Sequence, residues 1–124
     1  MIIGIGLDLC SVTRIRSLLQ DDRFLMRYFS RDEQDYIHSR GAMAAASAAA
    51  CYAAKEAFAK ALGTGFEGMA PKDIGILHDE NGAPSYKLEG LALSRALAKG
   101  MRCAHLSLSH EQDMAAAVAV LEGD

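Results

Sequence analysis

The segment AAKEAFAKALGTG, residues 53–65, decides how the fold of this 124-residue chain is interpreted. Alanine favours α-helix, and the alanine-rich sequence extends upstream, since seven of the nine residues 42–50 are alanine. We therefore predict one long helix over residues 42–62, ended by Gly63. Because alanine side chains let neighbouring backbones approach closely, we expect this helix to be packed at the centre of the fold.

Three charged residues stand out on this otherwise plain helix. Glu56 and Lys60 are four residues apart and share a helix face, while Lys55 is rotated about a quarter turn away. Taken alone, Glu56 and Lys60 are typical of a surface ion pair. If the helix is covered, however, the Glu56 carboxylate needs a partner, because burying an unpaired charge is costly. Lys60 and a metal ion are the two candidate partners.

The chain begins with MIIGIGLD, whose alternation predicts a strand. Gly4 and Gly6 lie on the same face as Asp8, so another group can approach the backbone closely there. Mg²⁺ typically takes one or two protein carboxylates together with phosphate oxygens and water. Asp8 and Glu56 are the candidates for those carboxylates, with Lys60 facing the phosphates.

Two further segments are candidates for contacts with phosphate. Gly63, Thr64 and Gly65 either cap the long helix or turn their backbone N–H groups towards an anion. In HLSLSHE, residues 105–111, alternation places His110 at the end of a strand. A histidine there is a turn residue, a phosphate contact or a proton-transfer group, and these alternatives stay open.

Local signals divide the rest of the chain into short helices and strand pairs. We predict helices at residues 12–20 with Ser11 as N-cap, in a segment ending at Tyr28, after a capping box of Ser30 and Glu33, and at residues 90–99. We predict strands at DIGIL, SYKLEG, CAHLSLS and MAAAVAVLE, with a hairpin turn at Asn81-Gly82 and a short HEQD turn. Because most strand pairs are hairpin-like, we expect one α+β domain over residues 1–124 with a largely antiparallel sheet.

Composition and charge exclude several classes of protein. Hydrophobic residues make up 51% of the chain, which argues against disorder, and the net charge of −3 does not suggest nucleic-acid binding. No apolar run is long enough to cross a membrane, and no signal peptide precedes the first strand, so we expect a cytoplasmic protein. Cys10, Cys51 and Cys103 are far apart and form no CxxC motif, so we expect reduced thiols and neither a zinc site nor a disulfide framework.

Positive charge is concentrated in the first quarter of the chain. Five of the eight arginines lie between residues 14 and 31. This strip is a candidate docking surface for an acidic partner. The alternative is a solvated helix face whose charge is balanced by nearby acids, namely Asp21, Asp22, Asp32 and Glu33.

Four segments, taken in order, resemble the holo-acyl-carrier-protein synthases, which are small bacterial phosphopantetheinyl transferases. The segments are GIGLD (4–8), AAKEAFAKALGTG (53–65), DIGILHDENGAP (73–84) and HLSLSHE (105–111). The resemblance implies an α+β fold with a pseudo-twofold axis, assembled as a homotrimer with active sites at subunit interfaces. It implies Mg²⁺-dependent transfer of 4′-phosphopantetheine from coenzyme A to a serine of apo acyl carrier protein, a step of fatty acid biosynthesis.

The resemblance also implies roles for individual residues. Asp8 and Glu56 match the metal ligands, and Lys60 matches a lysine near the reacting phosphates, so these three form the implied catalytic group. His110 matches a histidine near the coenzyme, and Lys55 either contacts the nucleotide or pairs on the surface. The remaining matches are the loop beside the nucleotide (Gly63, Thr64, Gly65) and the residues that hold the acidic carrier protein (Arg14, Arg23, Phe24, Arg27).

One departure from the family bears on coenzyme binding. Cys51-Tyr52 stands where the family commonly reads Arg-Phe, and that arginine contacts coenzyme phosphate in relatives. We expect weaker coenzyme binding, or replacement by another base such as Arg40, and a Cys51→Arg variant with a lower KM for coenzyme A. The alternatives to catalysis are a non-catalytic coenzyme A or nucleotide-binding module of the same fold and a structural trimer that uses the arginine strip alone.

Overall fold

A computed structural model describes all residues of the chain, 1–124, as five helices and five strands joined by short turns. Two further 3₁₀ turns lie at Gly41–Met43 and Pro71–Asp73. The regular elements, in chain order, are β1 (Ile2–Ser11), α1 (Val12–Leu18), α2 (Asp22–Tyr28), α3 (Arg31–Ser39), α4 (Ala44–Leu62), β2 (Ile74–His78), β3 (Pro84–Leu88), α5 (Gly90–Ala98), β4 (Cys103–Glu111) and β5 (Met114–Glu122).

The long helix α4 packs across a three-stranded antiparallel sheet of order β1-β5-β4. Small residues on both sides make this packing close: a methyl group at Gly6 would overlap the carbonyl oxygen of Ala57, and one at Gly4 would overlap that of Ala61. Along β5, alternate alanines such as Ala117 are fully buried. The predicted central helix and the predicted close approach to the glycines of β1 are both confirmed, and the group that approaches is the backbone of α4.

The second sheet is the predicted hairpin of β2 and β3. Its turn is held by the Asp79 carboxylate, which accepts hydrogen bonds from the backbone N–H groups of Asn81 and Ala83, each 2.8 Å long. Gly82 takes a φ of 84°, which favours glycine. The hairpin packs on α4 through Tyr86, whose hydroxyl donates to the Ala54 carbonyl at 2.6 Å.

The ends of the first helices show both local and long-range capping. Ser11 caps α1 as predicted, and the Ser30–Glu33 capping box opens α3 as predicted. The Asp113 carboxylate, from the turn between β4 and β5, also accepts a hydrogen bond from the Thr13 N–H at 2.8 Å. That turn is shorter than the predicted HEQD because β4 continues through Glu111 and leaves only two residues between the strands.

Lys55 and Glu33 form a buried ion pair, which corrects two predictions. The Lys55 ammonium lies 2.9 Å from the Glu33 carboxylate and also donates to the carbonyls of Pro71 and Ile74. The other Glu33 oxygen accepts from the Ile76 N–H at 3.1 Å. Lys55 therefore neither contacts a nucleotide nor pairs on the surface, and Glu33 is not a solvated balancing acid. The pair ties α3 and α4 to the start of β2.

The face of the sheet that points away from α4 is apolar and uncovered within one chain. Ile5, Leu7 and Leu9 of β1 are 61% to 65% exposed there. The alternation predicted for β1 is confirmed, but the larger side chains point outwards because the glycine face is the one that receives α4.

None of the helices combines the length and apolar content required to cross a membrane. The three cysteines are all free, as predicted. Cys10 and Cys51 are buried, whereas Cys103 is exposed on β4.

Replacing Gly6 by alanine is expected to lower the free energy of unfolding by about 3 kcal/mol, because the added methyl group meets helix backbone that cannot turn aside. Gly100→Ala is the matched control, because the added Cβ meets no other atom. This variant should lose only about 1 kcal/mol of unfolding free energy, the cost of alanine in a left-handed backbone conformation. Urea unfolding of both variants measures the difference. Equal losses for the two variants would contradict the proposed close packing.

Candidate active site

Asp8 and Lys60 meet where β1 passes under the second half of α4. Asp8 points to the α4 side of the sheet, and the Lys60 ammonium donates to its carboxylate and to the Leu7 carbonyl, each at 3.0 Å. The Lys60 side chain is 56% exposed, and that of Asp8 is 16% exposed. Glu56 lies one turn before Lys60 and is half-buried. The structure thus brings together the three residues of the predicted catalytic group.

The two carboxylates of this group repel each other. Burial raises the pKa of Glu56, and the negative charge of Asp8 raises it further. A hydrogen bond with Tyr52 and the positive charges of Lys60 and Arg14 oppose that rise. Because burial and the Asp8 charge raise the pKa of Glu56 despite Lys60 and Arg14, the site suits a divalent cation with oxygen ligands, and the residues present fit the Mg²⁺ implied by the sequence.

Arg14 lies at the edge of this group, against Tyr52 and Cys10. Its guanidinium carbon is 5.4 Å from the centre of the Tyr52 ring, and Nη2 is 3.8 Å from the Cys10 Sγ. Burial raises the pKa of the Cys10 thiol, so the sulfur stays protonated despite the arginine. Sequence reasoning did not assign Tyr52 or Cys10 to the site, since their contacts with Arg14 and Glu56 arise only in the folded chain.

The arginine strip continues into an open cleft beside α2. Arg23, Phe24 and Arg27 line this cleft of about 300 Å³ together with Asp21 and Tyr28. Arg23 is 91% exposed even though it pairs with Asp21 at 3.2 Å. The Phe24 ring lies 6.2 Å from that of Tyr52, so an aromatic contact joins the cleft to the edge of the carboxylate group.

The segment Gly63-Thr64-Gly65 follows α4 directly, one turn beyond Lys60. Gly63 ends the helix with a φ of 83°, and its N–H donates to the Lys60 carbonyl at 3.0 Å. Gly65 also has a positive φ, of 64°, and all three residues are exposed. The predicted helix cap is confirmed, and the role beside a nucleotide remains a prediction.

His110 lies in a different cleft, next to the start of α4. This cleft of about 170 Å³ is lined by Arg40, Ser47, His78 and His110, among others. Its α4 wall ends at Ala50, which precedes Glu56 by six residues, or about 9 Å along the helix axis, and none of Asp8, Glu56 and Lys60 lines it. Within one chain, the residues predicted to contact the coenzyme therefore fall into two separate groups.

Aromatic stacking shapes this second cleft, which we call the Arg40 cleft. The rings of Tyr36 and His78 stack with centroids 4.0 Å apart, and the Arg40 guanidinium lies 5.6 Å from the Tyr36 ring. Arg40 Nε also donates to the Ser47 hydroxyl at 3.3 Å. Burial and the charge of Arg40 lower the pKa of His78, which keeps that ring neutral. Sequence reasoning named Arg40 but missed Tyr36, Ser47 and His78.

Cys51 lines neither cleft. It is 1% exposed in the core, and burial raises its pKa to about 12. An arginine at this position would enter the core near the buried Lys55 ammonium, so we no longer expect Cys51→Arg to lower the KM for coenzyme A. Cys51 in place of the family's arginine, which supported the alternative of a non-catalytic module, is thus a difference inside the core.

Residues 4–119 match the family model of the 4'-phosphopantetheinyl transferase superfamily. A holo-[acyl-carrier-protein] synthase of Treponema denticola is 46% identical over 123 residues, which span 99% of this chain and 100% of that protein. This chain belongs to the 4'-phosphopantetheinyl transferase superfamily.

Solved structures of the superfamily agree with this assignment. The holo-[acyl-carrier-protein] synthase of Neisseria meningitidis has a TM-score of 0.87 at 39% identity, covering 98% of this chain and 99% of that chain. A synthase of Bacillus anthracis in complex with CoA (3',5'-ADP) has a TM-score of 0.83 at 32% identity, covering 100% of this chain and 99% of that chain. The predicted family, α+β fold and enzyme class are confirmed, and the non-catalytic alternative is not favoured.

Proposed function

We propose that this chain transfers the 4′-phosphopantetheine group of coenzyme A to a serine hydroxyl of apo acyl carrier protein, releasing adenosine 3′,5′-bisphosphate. The observation that carries the proposal is the meeting of Asp8, Glu56 and Lys60 at the junction of β1 and α4, with Lys60 and Asp8 3.0 Å apart. Phosphoryl transfer needs such a group, because it proceeds mainly through positioning and charge stabilisation. We propose that the reaction takes place in the cytoplasm, at a step that supplies fatty acid synthesis.

Asp8 and Glu56 would hold Mg²⁺ in this reaction. When bound, that ion neutralises charge on the diphosphate oxygens of coenzyme A and so stabilises the transition state. The support is that burial and, next, the negative charge of Asp8 raise the pKa of Glu56, and a dication would relieve the repulsion between the two carboxylates.

The remaining steps are assigned to side chains of this site. The serine oxygen forms a bond to the β-phosphorus as the bond from that phosphorus to the bridging oxygen breaks, and the bridging oxygen leaves with the electron pair. Lys60 is 56% exposed and can swing from Asp8 to the charged phosphate oxygens. Glu56, one turn of α4 before Lys60, is the proposed acceptor of the serine proton.

The coenzyme's nucleotide would be held by the Arg40 cleft of a neighbouring chain, with Gly63, Thr64 and Gly65 beside it. Arg40 and His110 suit a phosphate group, but within one chain the cleft that they line includes none of Asp8, Glu56 and Lys60. Assembly of a homotrimer would bring the two groups together. The exposed apolar side chains of β1, between 61% and 65% accessible, support such an assembly, because apolar faces of this kind are usually covered by a partner.

The acidic carrier protein would dock on Arg14, Arg23, Phe24 and Arg27. The open cleft beside α2 presents two of these arginines, and the Phe24–Tyr52 contact links it to the carboxylate group. A carrier bound there would have its serine close to Asp8 and Glu56. The role of the arginines is electrostatic steering and orientation of the carrier.

Intact-mass spectrometry of an apo acyl carrier protein, incubated with this protein, coenzyme A and Mg²⁺, tests the proposal. The carrier is expected to gain the mass of one phosphopantetheine, and EDTA is expected to abolish the gain. No gain with several carrier proteins would contradict the transfer, whereas a gain that persists in EDTA would contradict only the metal requirement.

Arg40→Ala is expected to raise the KM for coenzyme A by about 10–100-fold with little change in kcat, because a charge-assisted contact to phosphate contributes about 1.5–3 kcal/mol to binding. Steady-state kinetics with coenzyme A as the varied substrate measures this change. Arg102→Ala, which removes an exposed arginine outside both clefts and outside the arginine strip, is the control. An unchanged KM in Arg40→Ala would remove this arginine from the coenzyme site.

Mixing two variant chains tests whether the site is shared. If Asp8→Asn and Arg40→Ala chains exchange within trimers, about one site in four combines an intact carboxylate group with an intact Arg40 cleft. Activity at low coenzyme A should therefore rise above the mean of the two parents. If chain exchange is verified and the activity still equals the mean of the two parents, both groups of the site belong to one chain.

A further inference from the structure

Tyr52 has no role in the proposed reaction, although it contacts Glu56. It lies one turn of α4 before Glu56, so the two side chains share a helix face, and both residues are half-buried. The Tyr52 hydroxyl and the Glu56 carboxylate are hydrogen-bond partners. Burial raises the pKa of Tyr52, and the charge of Glu56 raises it further, so the hydroxyl is protonated at neutral pH and is the donor.

The two carboxylates of the catalytic group are held in different ways. Asp8 accepts a hydrogen bond from the Lys60 ammonium at 3.0 Å. Lys60 acts on Glu56 only through its charge, and the side-chain hydrogen bond to Glu56 comes from Tyr52. Because a glutamate side chain has several staggered rotamers, the Tyr52 hydroxyl is the contact that selects among them.

The Tyr52 ring is itself fixed by its surroundings. The Arg14 guanidinium carbon lies 5.4 Å from the ring centre, and the rings of Phe24 and Tyr28 have centroids 6.2 Å and 5.7 Å away. A ring packed in this way presents its hydroxyl at a fixed place. Such a donor restricts the orientation of the carboxylate that it binds.

We propose that Tyr52 is a positioning residue, which holds the Glu56 carboxylate towards Asp8 and so prepares the cation site. This role rests on the proposed function, in which Asp8 and Glu56 hold Mg²⁺. A carboxylate has two oxygens, so one can accept from Tyr52 while the other remains for the cation. Hydrogen-bond partners of metal ligands orient those ligands, and their removal typically weakens metal binding about 10–100-fold.

The hydroxyl is a feature of this chain rather than of the family motif, which commonly reads Arg-Phe where this chain has Cys51-Tyr52. A phenylalanine would keep the aromatic packing against Arg14 and Phe24 but has no donor for Glu56. Since phenylalanine serves in relatives, we expect removal of the hydroxyl to have an effect at the lower end of the range, about tenfold.

Mn²⁺ binding tests the proposal without turnover. Mn²⁺ suits the same oxygen ligands as Mg²⁺, and the EPR lines of the free aqueous ion report how much of it is unbound. The wild-type protein and Tyr52→Phe are titrated with Mn²⁺ in saturating coenzyme A and without carrier protein. The dissociation constant of the variant should be about tenfold higher. Glu56→Gln should lose at least as much affinity, which assigns the signal to this site.

Tyr86→Phe is the control, because it removes another tyrosine hydroxyl that contacts α4, the one bonded to the Ala54 carbonyl. It should lower the Tm and keep the wild-type affinity for Mn²⁺, whereas Tyr52→Phe should keep the Tm. A Mn²⁺ dissociation constant in Tyr52→Phe within about twofold of the wild-type value would overturn the proposal. Undiminished affinity in Glu56→Gln, or no saturable Mn²⁺ binding by the wild-type protein, would overturn it as well.

Steady-state kinetics gives a second readout. In Tyr52→Phe, the Mg²⁺ concentration for half-maximal transfer should rise about tenfold, while the KM for the carrier protein at saturating Mg²⁺ should stay within about twofold. A change in the KM for the carrier alone would place Tyr52 in carrier docking and contradict the positioning role. If the wild-type protein transfers nothing, the proposed function fails, and the Mn²⁺ titration still decides the role of Tyr52.

Discussion

Asp8→Asn and Glu56→Gln are each expected to lower turnover by about 10²–10³-fold or more, as measured by the mass gain of apo acyl carrier protein at saturating Mg²⁺. Each change removes one of the two carboxylates proposed to hold the cation. The loss should appear in kcat, because the interaction stabilises charge that develops in the transition state.

Stability should hardly change in these two variants. Asp8→Asn weakens a pair whose lysine is 56% exposed, which is worth less than about 1 kcal/mol. Glu56→Gln removes the repulsion between Glu56 and Asp8. Urea unfolding measures the free energy of unfolding separately from activity. The variants Asp22→Asn and Glu80→Gln, which change exposed acids, are the matched controls. Near-normal turnover in either catalytic variant would refute the metal assignment.

Lys55→Ala is expected to lower the free energy of unfolding by about 3–5 kcal/mol, because it leaves the Glu33 carboxylate buried without its partner. The substitution also removes the Lys55 hydrogen bonds to the carbonyls of Pro71 and Ile74, the second of which is buried. Lys55→Met keeps most of the side-chain volume and isolates the loss of charge. Urea unfolding at neutral pH measures both variants.

Lys60→Ala is the matched control for this prediction, since Lys60 lies on the same helix and pairs with Asp8 at the same kind of distance but is 56% exposed. Its cost in stability should stay below about 1 kcal/mol. A double variant, Glu33→Leu with Lys55→Met, should recover much of the stability lost in Lys55→Met, because no uncompensated charge remains. If Lys55→Ala cost no more than Lys60→Ala, the buried pair would not be a main support of α4.

Helix-face spacing and the glycine-cleared strand made Asp8, Glu56 and Lys60 candidates, and the resemblance assigned their catalytic roles. Motif order singled out Asp8, Glu56 and Lys60, and the structure brings them together. For Lys55, which is adjacent to Glu56 in the sequence, the same motif suggested a nucleotide or surface contact, and this was wrong. Neighbouring positions on a helix point in directions about 100° apart, so one can face the ligand while the next enters the core.

The sequence by itself determined those features whose partners lie within a few residues. The Ser11 cap, the Ser30–Glu33 capping box, the Gly63 helix end and the Asn81-Gly82 turn are of this kind, because each depends on a hydrogen bond or backbone angle inside one turn of chain. Only the tertiary structure decided that Cys51 is buried, that His110 lines the Arg40 cleft, and that Cys103 meets Glu122. Burial and cross-strand proximity follow from how α4 and the sheet pack together, and no local spacing in the chain specifies that packing.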